Sequence, residues 1–411
     1  MAEFFVLGAG MVGVSTALAL QEKGHNVVVL DKTTPGLETS YGNAGIIQTE
    51  AAEPYALPRE LSTLFRYAIG QTNDVVWSLG ASLKMAPALW RYFQLSAEKP
   101  YRKISETYSK LAARSTADHQ PLIEASNSEH LIRREGLVML YRDQASFDEA
   151  ASRAHRLERD YGVTSRTLSG DDYRKEEPAL LKTPAGAVHW LQSWSCSDPG
   201  ALTQAYAALF EARGGRIIQC DAQQVSKATG GWQAQTSEGL LTAEQIVVAL
   251  GPWSPAFLQR FGYFIPMVYK RGYHGHYDAP VSPQRPFLDV TNGVLAAPMA
   301  KGLRVTTGAA LVAMDAPAKP IQLQRGEKAL SDMLVLGQKV QEPQWYGTRP
   351  CMPDMLPVVG RAPRHANMWF HFGHGHQGFT QGPTTAELLL EAMAGEQSDV
   401  LTALSPNTRI K

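Results

Sequence analysis

Gly8-Ala9-Gly10-Met11-Val12-Gly13 is the run in this 411-residue chain that most directly implies chemistry. Glycines at that spacing make a tight turn, let the backbone approach a pyrophosphate, and let a helix pack closely on a strand. The flanks agree. Phe4-Phe5-Val6-Leu7 is a continuous apolar run suited to a strand buried on both faces. Val14 to Glu22 reads as a small-residue helix stopped by Gly24, and Asn26 to Leu30 is a second buried strand ending at Asp31. The helix start offers unpaired N–H groups and a positive dipole end to a pyrophosphate. Asp31 is placed to bind both hydroxyls of an adenosine ribose, which disfavours a 2′-phosphate and therefore NADP. The fingerprint alone does not separate FAD from NAD.

Three further stretches carry polar groups in suggestive settings. Residues 39–47 form a small, polar loop that can lie against a flat ring system. Lys270 to Tyr277 reads as an unusually polar aromatic strand. Its alternation puts Tyr273, Gly275 and Tyr277 on one face and His274 and His276 on the other, and only one face can line a pocket. Near the C-terminus, Met368 to Phe372 reads as a strand, Gly373 to Gly378 as a Gly/His turn, and Thr384 to Ala394 as a helix. His371, His374 and His376 fall together there, but no carboxylate or cysteine ligand stands nearby, so no metal is expected.

The elements around these stretches are those of a mixed α/β protein. Pro199 to Ala212 is a helix capped by Asp198, Arg216 to Cys220 a strand, and Ile246 to Leu250 a buried strand ending on Gly251. Helices are expected near 62–95 and 100–126. Strands are expected at 136–141 and 186–191, with shorter ones at 273–277, 294–298 and 303–310. The composition is that of a globular protein, 44% hydrophobic and 19% charged. Lys plus Arg equal Asp plus Glu at 39 each, which excludes a strongly basic nucleic-acid binder. The cysteines, Cys196, Cys220 and Cys351, are too few and too scattered for a disulfide framework, as befits a cytoplasmic, reducing setting. No signal peptide or membrane span is expected. The apolar, aromatic stretch 75–93 reads as core-facing helices or, alternatively, as a surface helix docking peripherally on the inner membrane.

Taken in order, these motifs resemble the FAD-dependent D-amino-acid oxidase superfamily, and most closely its bacterial D-amino-acid dehydrogenases. The resemblance rests on the fingerprint, Ser40-x-x-Asn43-Ala44-Gly45, Asp198-Pro199-Gly200, and the strand into Gly251-Pro252-Trp253. It rests also on Trp345-x-Gly347-x-Arg349-Pro350-x-x-Pro353-Asp354-x-Leu356-Pro357 and on Gly373-His374-Gly375-His376-x-Gly378-Phe379-Thr380. Cys351-Met352 stands where many relatives carry Met-Thr, and the His-rich form is similar to relatives acting on D-hydroxyproline.

The resemblance implies a discontinuous, Rossmann-like FAD-binding domain from 1–60, 198–256 and 340–411. A substrate domain with a mostly antiparallel sheet and helices would follow from 61–197 and 257–339. FAD would contact Gly8, Gly10, Gly13, Asp31, Lys32, Ser40, Asn43, Ala44, Gly45, Ile46, Val225, Gly251, Trp253, Gly375, Gly378, Phe379 and Thr380. The implied reaction moves a hydride from Cα of a small D-amino acid to the flavin, with a quinone or other carrier as acceptor. Arg349 would clamp the carboxylate with its planar fork unless it pairs with an acid such as Asp354. Tyr273 would close over the carboxylate, and His376 would act as base or hydrogen-bond donor. Cys351 is offset from the cysteine of covalently flavinylated sarcosine oxidases, so noncovalent FAD is expected. Two alternatives stay open: an oxidase or demethylase of N-alkyl glycines such as sarcosine, and a flavin-binding subunit without activity of its own.

Overall fold

The computed structural model describes residues 2–70, 73 and 75–410. Two large sheets and a small one carry the helices. The first sheet is built on Ala2–Leu7, with Val27–Asp31 and Gly239–Val248 as parallel neighbours on either side. Arg216–Gln219 extends it beyond Val27–Asp31, and Met368–Phe372 pairs in parallel with Gly239–Val248. A meander of Val225–Ala228 and Gly231–Thr236 completes one edge. These central strands are apolar on both faces because helices cover one, and the meander residues Val225, Trp232 and Ala234 with Phe257 and Leu258 cover the other. Met11–Glu22 and Gly378–Met393 pack on one side, and Val14, Leu18 and Leu389 are fully or almost fully buried there. A Cβ on Gly382 would lie 3.0 Å from Met11 Cγ, so the glycine lets these two helices approach.

The second, ten-stranded sheet is mostly antiparallel and centres on Val268–Tyr277. Gly302–Thr307 and Ala309–Leu311 flank that strand on one side, and Trp345–Cys351 pairs with it on the other. The strand Trp345–Cys351, placed at the start of the third FAD-domain stretch by the sequence reading, thus hydrogen-bonds within this second sheet. Val358–Arg361 and Met368–Phe372 lie in the first. Ile46–Ile47, Trp194–Cys196 and Ile132–Arg133 form the small sheet.

Several sequence expectations are corrected. The helices expected near 62–95 are Leu61–Ala68, Leu79–Lys84 and Ala86–Leu95, but a strand, Val75–Trp77, stands between the first two. Gly70, at φ 69°, and Pro87 in the first turn of the last helix supply the breaks. The C-terminal helix begins at Gly378 rather than near Thr384 and carries Pro383 inside it. Pro383 has no N–H to donate to the Phe379 carbonyl, and His119 Nε2 lies 2.9 Å from that oxygen instead. The strand expected across 303–310 is interrupted at Gly308.

Candidate active site

A cavity of about 900 Å³ runs from the glycine turn, past residues 38–48, to the second sheet. At its first end Gly8 has φ 104°, and a Cβ there would lie 2.5 Å from the carbonyl oxygen of Ala249. A Cβ on Gly13 would lie 1.8 Å from the Gly8 carbonyl oxygen, so helix and turn touch directly. Gly10 opens the helix Met11–Glu22 without a capping side chain of its own. The Met11 N–H donates instead to Ser40 Oγ at 3.0 Å. Asp31 braces the turn, accepting from Ala9 N–H at 2.6 Å on one oxygen and from Thr33 N–H at 2.9 Å on the other. Asp31 also lines the cavity. Lys32 lies 4.7 Å over the Trp253 ring, and both line the same wall beside Gly251.

At the second end, the antiparallel register sets Lys270 opposite Arg349, Gly272 opposite Gly347 and His274 opposite Trp345. Side chains of this register share one face of the sheet, so Lys270 and Arg349 stand side by side at the cavity wall. Arg349 donates to the carbonyl oxygens of Gly308 at 3.0 Å and Thr307 at 3.3 Å. Gly272 makes room for it: a Cβ there would lie 2.7 Å from Arg349 Nη2. Asp354, the acid weighed as a partner for Arg349, pairs instead with Arg409 at 2.7 Å. Burial pushes the Arg349 pKa below its usual value, so its charge calls for an anion. Cys351 follows on the same strand, and burial pushes its thiol up.

His376 lines this end, 5.0 Å from the Tyr55 ring between ring centroids, with Gln377 Nε2 3.1 Å from its Nε2. Burial, then Arg349 and Lys270, push it down to about 3, so it is a neutral hydrogen-bonding group rather than a strong base. Tyr273 stands differently from the sequence expectation. It reaches the cavity wall, but it is buried in the core of the second sheet, its ring 6.1 Å from that of Tyr346, and its hydroxyl accepts from Lys319 N–H at 3.2 Å. Arg349 lies on the opposite face of the strand, and Lys270, passed over in the sequence, takes the place beside it. The alternation was legible, but which face looked inward depends on pairing with a strand more than 70 residues away.

The remaining sequence candidates divide. Asn43, Ala44, Ile46, Gly375, Gly378 and Phe379 line the cavity. Gly45 and Thr380 stand behind the wall. Gly45 N–H donates to Asn43 Oδ1 at 2.8 Å, and Thr380 Oγ1 donates to Ile46 O at 3.1 Å. Val225 is buried in the core against Ile218 and Trp232, while Cys220, Asp221, Ala222 and Gln223 form the wall nearby. His371 and His374 both meet Thr385 Oγ1, at 2.8 and 2.9 Å, tying strand and turn to the last long helix. His274, His276 and Glu342 converge elsewhere, but Glu342 and Arg304 already occupy the two ring nitrogens of His276.

Residues 3–392 match the FAD dependent oxidoreductase (DAO) family. The chain belongs to this family. It is 28% identical to a D-amino acid dehydrogenase of Chromohalobacter salexigens, with 96% of each chain covered. It is 26% identical to a D-amino-acid oxidase of Bradyrhizobium diazoefficiens, covering 98% of this chain and 97% of that one. The solved structure of iminodiacetate oxidase from Chelativorans sp. BNC1 shares the fold, with a TM-score of 0.72 at 21% identity and coverage of 98% and 99%. The cofactor is FAD, and the protein is an FAD-dependent oxidoreductase with a Rossmann-like cofactor fold.

The cavity fits the DAO-family cofactor. The glycine turn leaves a cradle that side chains would fill, and Asp31 and the small residues of the loop 39–47 line the same cavity, where they would hold the ribose and the ring. Among the described residues no helix is long and apolar enough to cross a membrane.

The buried histidines of this enzyme set its acid stability. Burial pushes His119 down to about 4 and His374 and His376 to about 3, and lowers His371 well below its usual value. The folded state keeps them neutral, whereas in the unfolded chain they take up protons near pH 6.5. Their contribution is complete above pH 6.5 and is lost as pH falls from there toward 3. The unfolding midpoint in urea should therefore fall between pH 7 and pH 5, above the carboxylate range. A flat midpoint across that interval would contradict these assignments.

Proposed function

We propose that this enzyme oxidises a D-amino acid at Cα and passes the electrons to a quinone or another carrier. The observation that carries the reading is Arg349: a cation in the cavity wall, held by two carbonyl oxygens and, among the described residues, by no acid, beside the loop that would carry the flavin. Its fork suits a substrate carboxylate. Bound FAD supplies the hydride acceptor. Arg349 fixes the carboxylate and thereby aims Cα–H. Neutral His376 offers a hydrogen-bonding nitrogen to the substrate amine, and the apolar wall of Leu89, Met139 and Leu295 limits water around the reacting carbon. Hydrolysis of the resulting imine gives a keto acid and ammonia; a cyclic secondary amine such as D-proline or D-hydroxyproline gives a cyclic imine. The names of the curated relatives support the D-amino-acid reading.

The acceptor reading rests on the segment bordering the cavity. Leu61, Phe65, Ile69, Leu79, Leu83 and Trp90 are exposed, and Arg66, Lys84 and Arg91 stand among them on the surface. Leu64, Tyr67, Ser82 and Leu89 of the same segment line the cavity. Apolar side chains with interspersed cations suit an anionic lipid surface that carries a quinone.

Anaerobic flavin bleaching by D-alanine, D-proline, cis-4-hydroxy-D-proline, sarcosine and the L-isomers tests the substrate class. Bleaching is expected with D-substrates, and bleaching by L-isomers or sarcosine alone would refute it. The reduced enzyme should be reoxidised faster by a quinone than by air, and should co-sediment with anionic vesicles. Rapid reoxidation in air with peroxide would make it an oxidase instead.

A further inference from the structure

We propose that the substrate carries a second anionic group, held by Lys270, so that the enzyme acts on dicarboxylic D-amino acids. The inference deepens the D-amino-acid reading and rests on it.

Lys270 and Arg349 face each other across adjacent strands and both line the cavity. Lys270 Nζ is 3.0 Å from the Tyr92 hydroxyl and 4.4 Å from the Tyr92 ring centroid. Tyr92 in turn donates to the Tyr55 carbonyl, so its oxygen is oriented to accept from Lys270. One neutral phenol is thus the acceptor in place for an ammonium that has three donors. Glu50 lies near this end of the cavity, but its carboxylate is engaged by Ser193 Oγ and by Gln48 Nε2. Among the described residues no acidic side chain forms an ion pair with either cation.

Two half-buried cations side by side in a cavity wall, with no acidic partner among the described residues, suit a ligand that brings two anionic groups. One α-carboxylate satisfies the bidentate fork of Arg349. It leaves the ammonium of Lys270 without an anion. A second carboxylate on the side chain, as in D-aspartate or D-glutamate, reaches that neighbour. On the same face the Arg349 guanidinium lies over Gly272 and the Trp345 ring over Gly347, which holds the fork of Arg349 flat against the strand that carries Lys270.

Isosteric amides isolate the charge. For each of D-aspartate with D-asparagine and D-glutamate with D-glutamine, kcat/KM is measured with a soluble dye acceptor on the FAD-loaded enzyme. The wild type should prefer at least one of the acids over its amide. Lys270→Met should lower kcat/KM for that acid about 10- to 100-fold, the range expected for a charge-assisted hydrogen bond, while changing the amide less than about threefold. Lys270→Arg should restore most of the loss. Flavin content is followed in each variant, so that a folding defect is separated from a binding one. Equal loss on acid and amide in a flavin-replete Lys270→Met variant would overturn the proposal, placing Lys270 on the α-carboxylate or the cofactor. So would a wild type that uses D-alanine or D-proline but favours neither acid. Failure of every D-amino acid would instead overturn the underlying D-amino-acid reading.

Discussion

Replacing Arg349 with Met is expected to lower kcat/KM by about 100- to 10,000-fold, with FAD still bound. The magnitude follows from the geometry. The guanidinium is half-buried in the cavity wall and held by the Gly308 and Thr307 carbonyls, with no acidic partner among the described residues. Removing one partner of a buried, hydrogen-bonded charge pair costs about 3–5 kcal/mol, and about 1.4 kcal/mol is a factor of ten in rate. The loss falls on kcat as well as KM, because the clamp both binds the carboxylate and sets the approach of Cα–H. Arg349→Lys keeps the charge but not the fork, and should recover part of the binding while leaving kcat reduced. Single-turnover flavin reduction over a range of substrate concentrations separates the two effects. An Arg349→Met enzyme with unchanged KM and unchanged reduction rate would remove this residue from the site.

The second large effect is at Gly13. An alanine there would bring its Cβ to 1.8 Å from the Gly8 carbonyl oxygen, a backbone atom that cannot swing aside. The helix Met11–Glu22 would have to lift from the turn, taking its first-turn N–H groups away from the pyrophosphate position. Overpacking of this kind costs about 1–3 kcal/mol or more, and it acts at the point where the cofactor is held. Gly13→Ala protein should therefore purify nearly without flavin and melt well below the wild type. Gly80 supplies the control. A Cβ there meets nothing within 4 Å, so Gly80→Ala should bind FAD normally and melt at or slightly above the wild-type temperature. The ratio of flavin to protein absorbance reads both variants. A Gly13→Ala protein with full flavin content would show that the contact relaxes by some other route.

What could be read from the residues alone was local. The turn at Gly8, Gly10 and Gly13 and the strand ending at Asp31 are described by spacing within a single strand–helix–strand unit, and short-range sterics dictate them. The same holds for the Asp198 cap, whose carboxylate accepts from Ala201 N–H at 2.9 Å as Asp-Pro-Gly predicts. The start of the last long helix was less legible. Gly378, Gly382 and Pro383 are poor helix formers that disguised its start, and only packing of Gly382 on Met11 shows why the helix extends back to Gly378.

The sequence by itself determined a mixed α/β protein with a dinucleotide cradle and a family resemblance running through most of its length, because those features repeat in short windows. Tertiary pairing decided the substrate end. Which face of Val268–Tyr277 looks inward, why Tyr273 bonds to Lys319 while Lys270 stands beside Arg349, and why Asp354 serves Arg409 all depend on contacts between distant segments. A strand's period of two names both faces equally well, and only its partner strand breaks that tie.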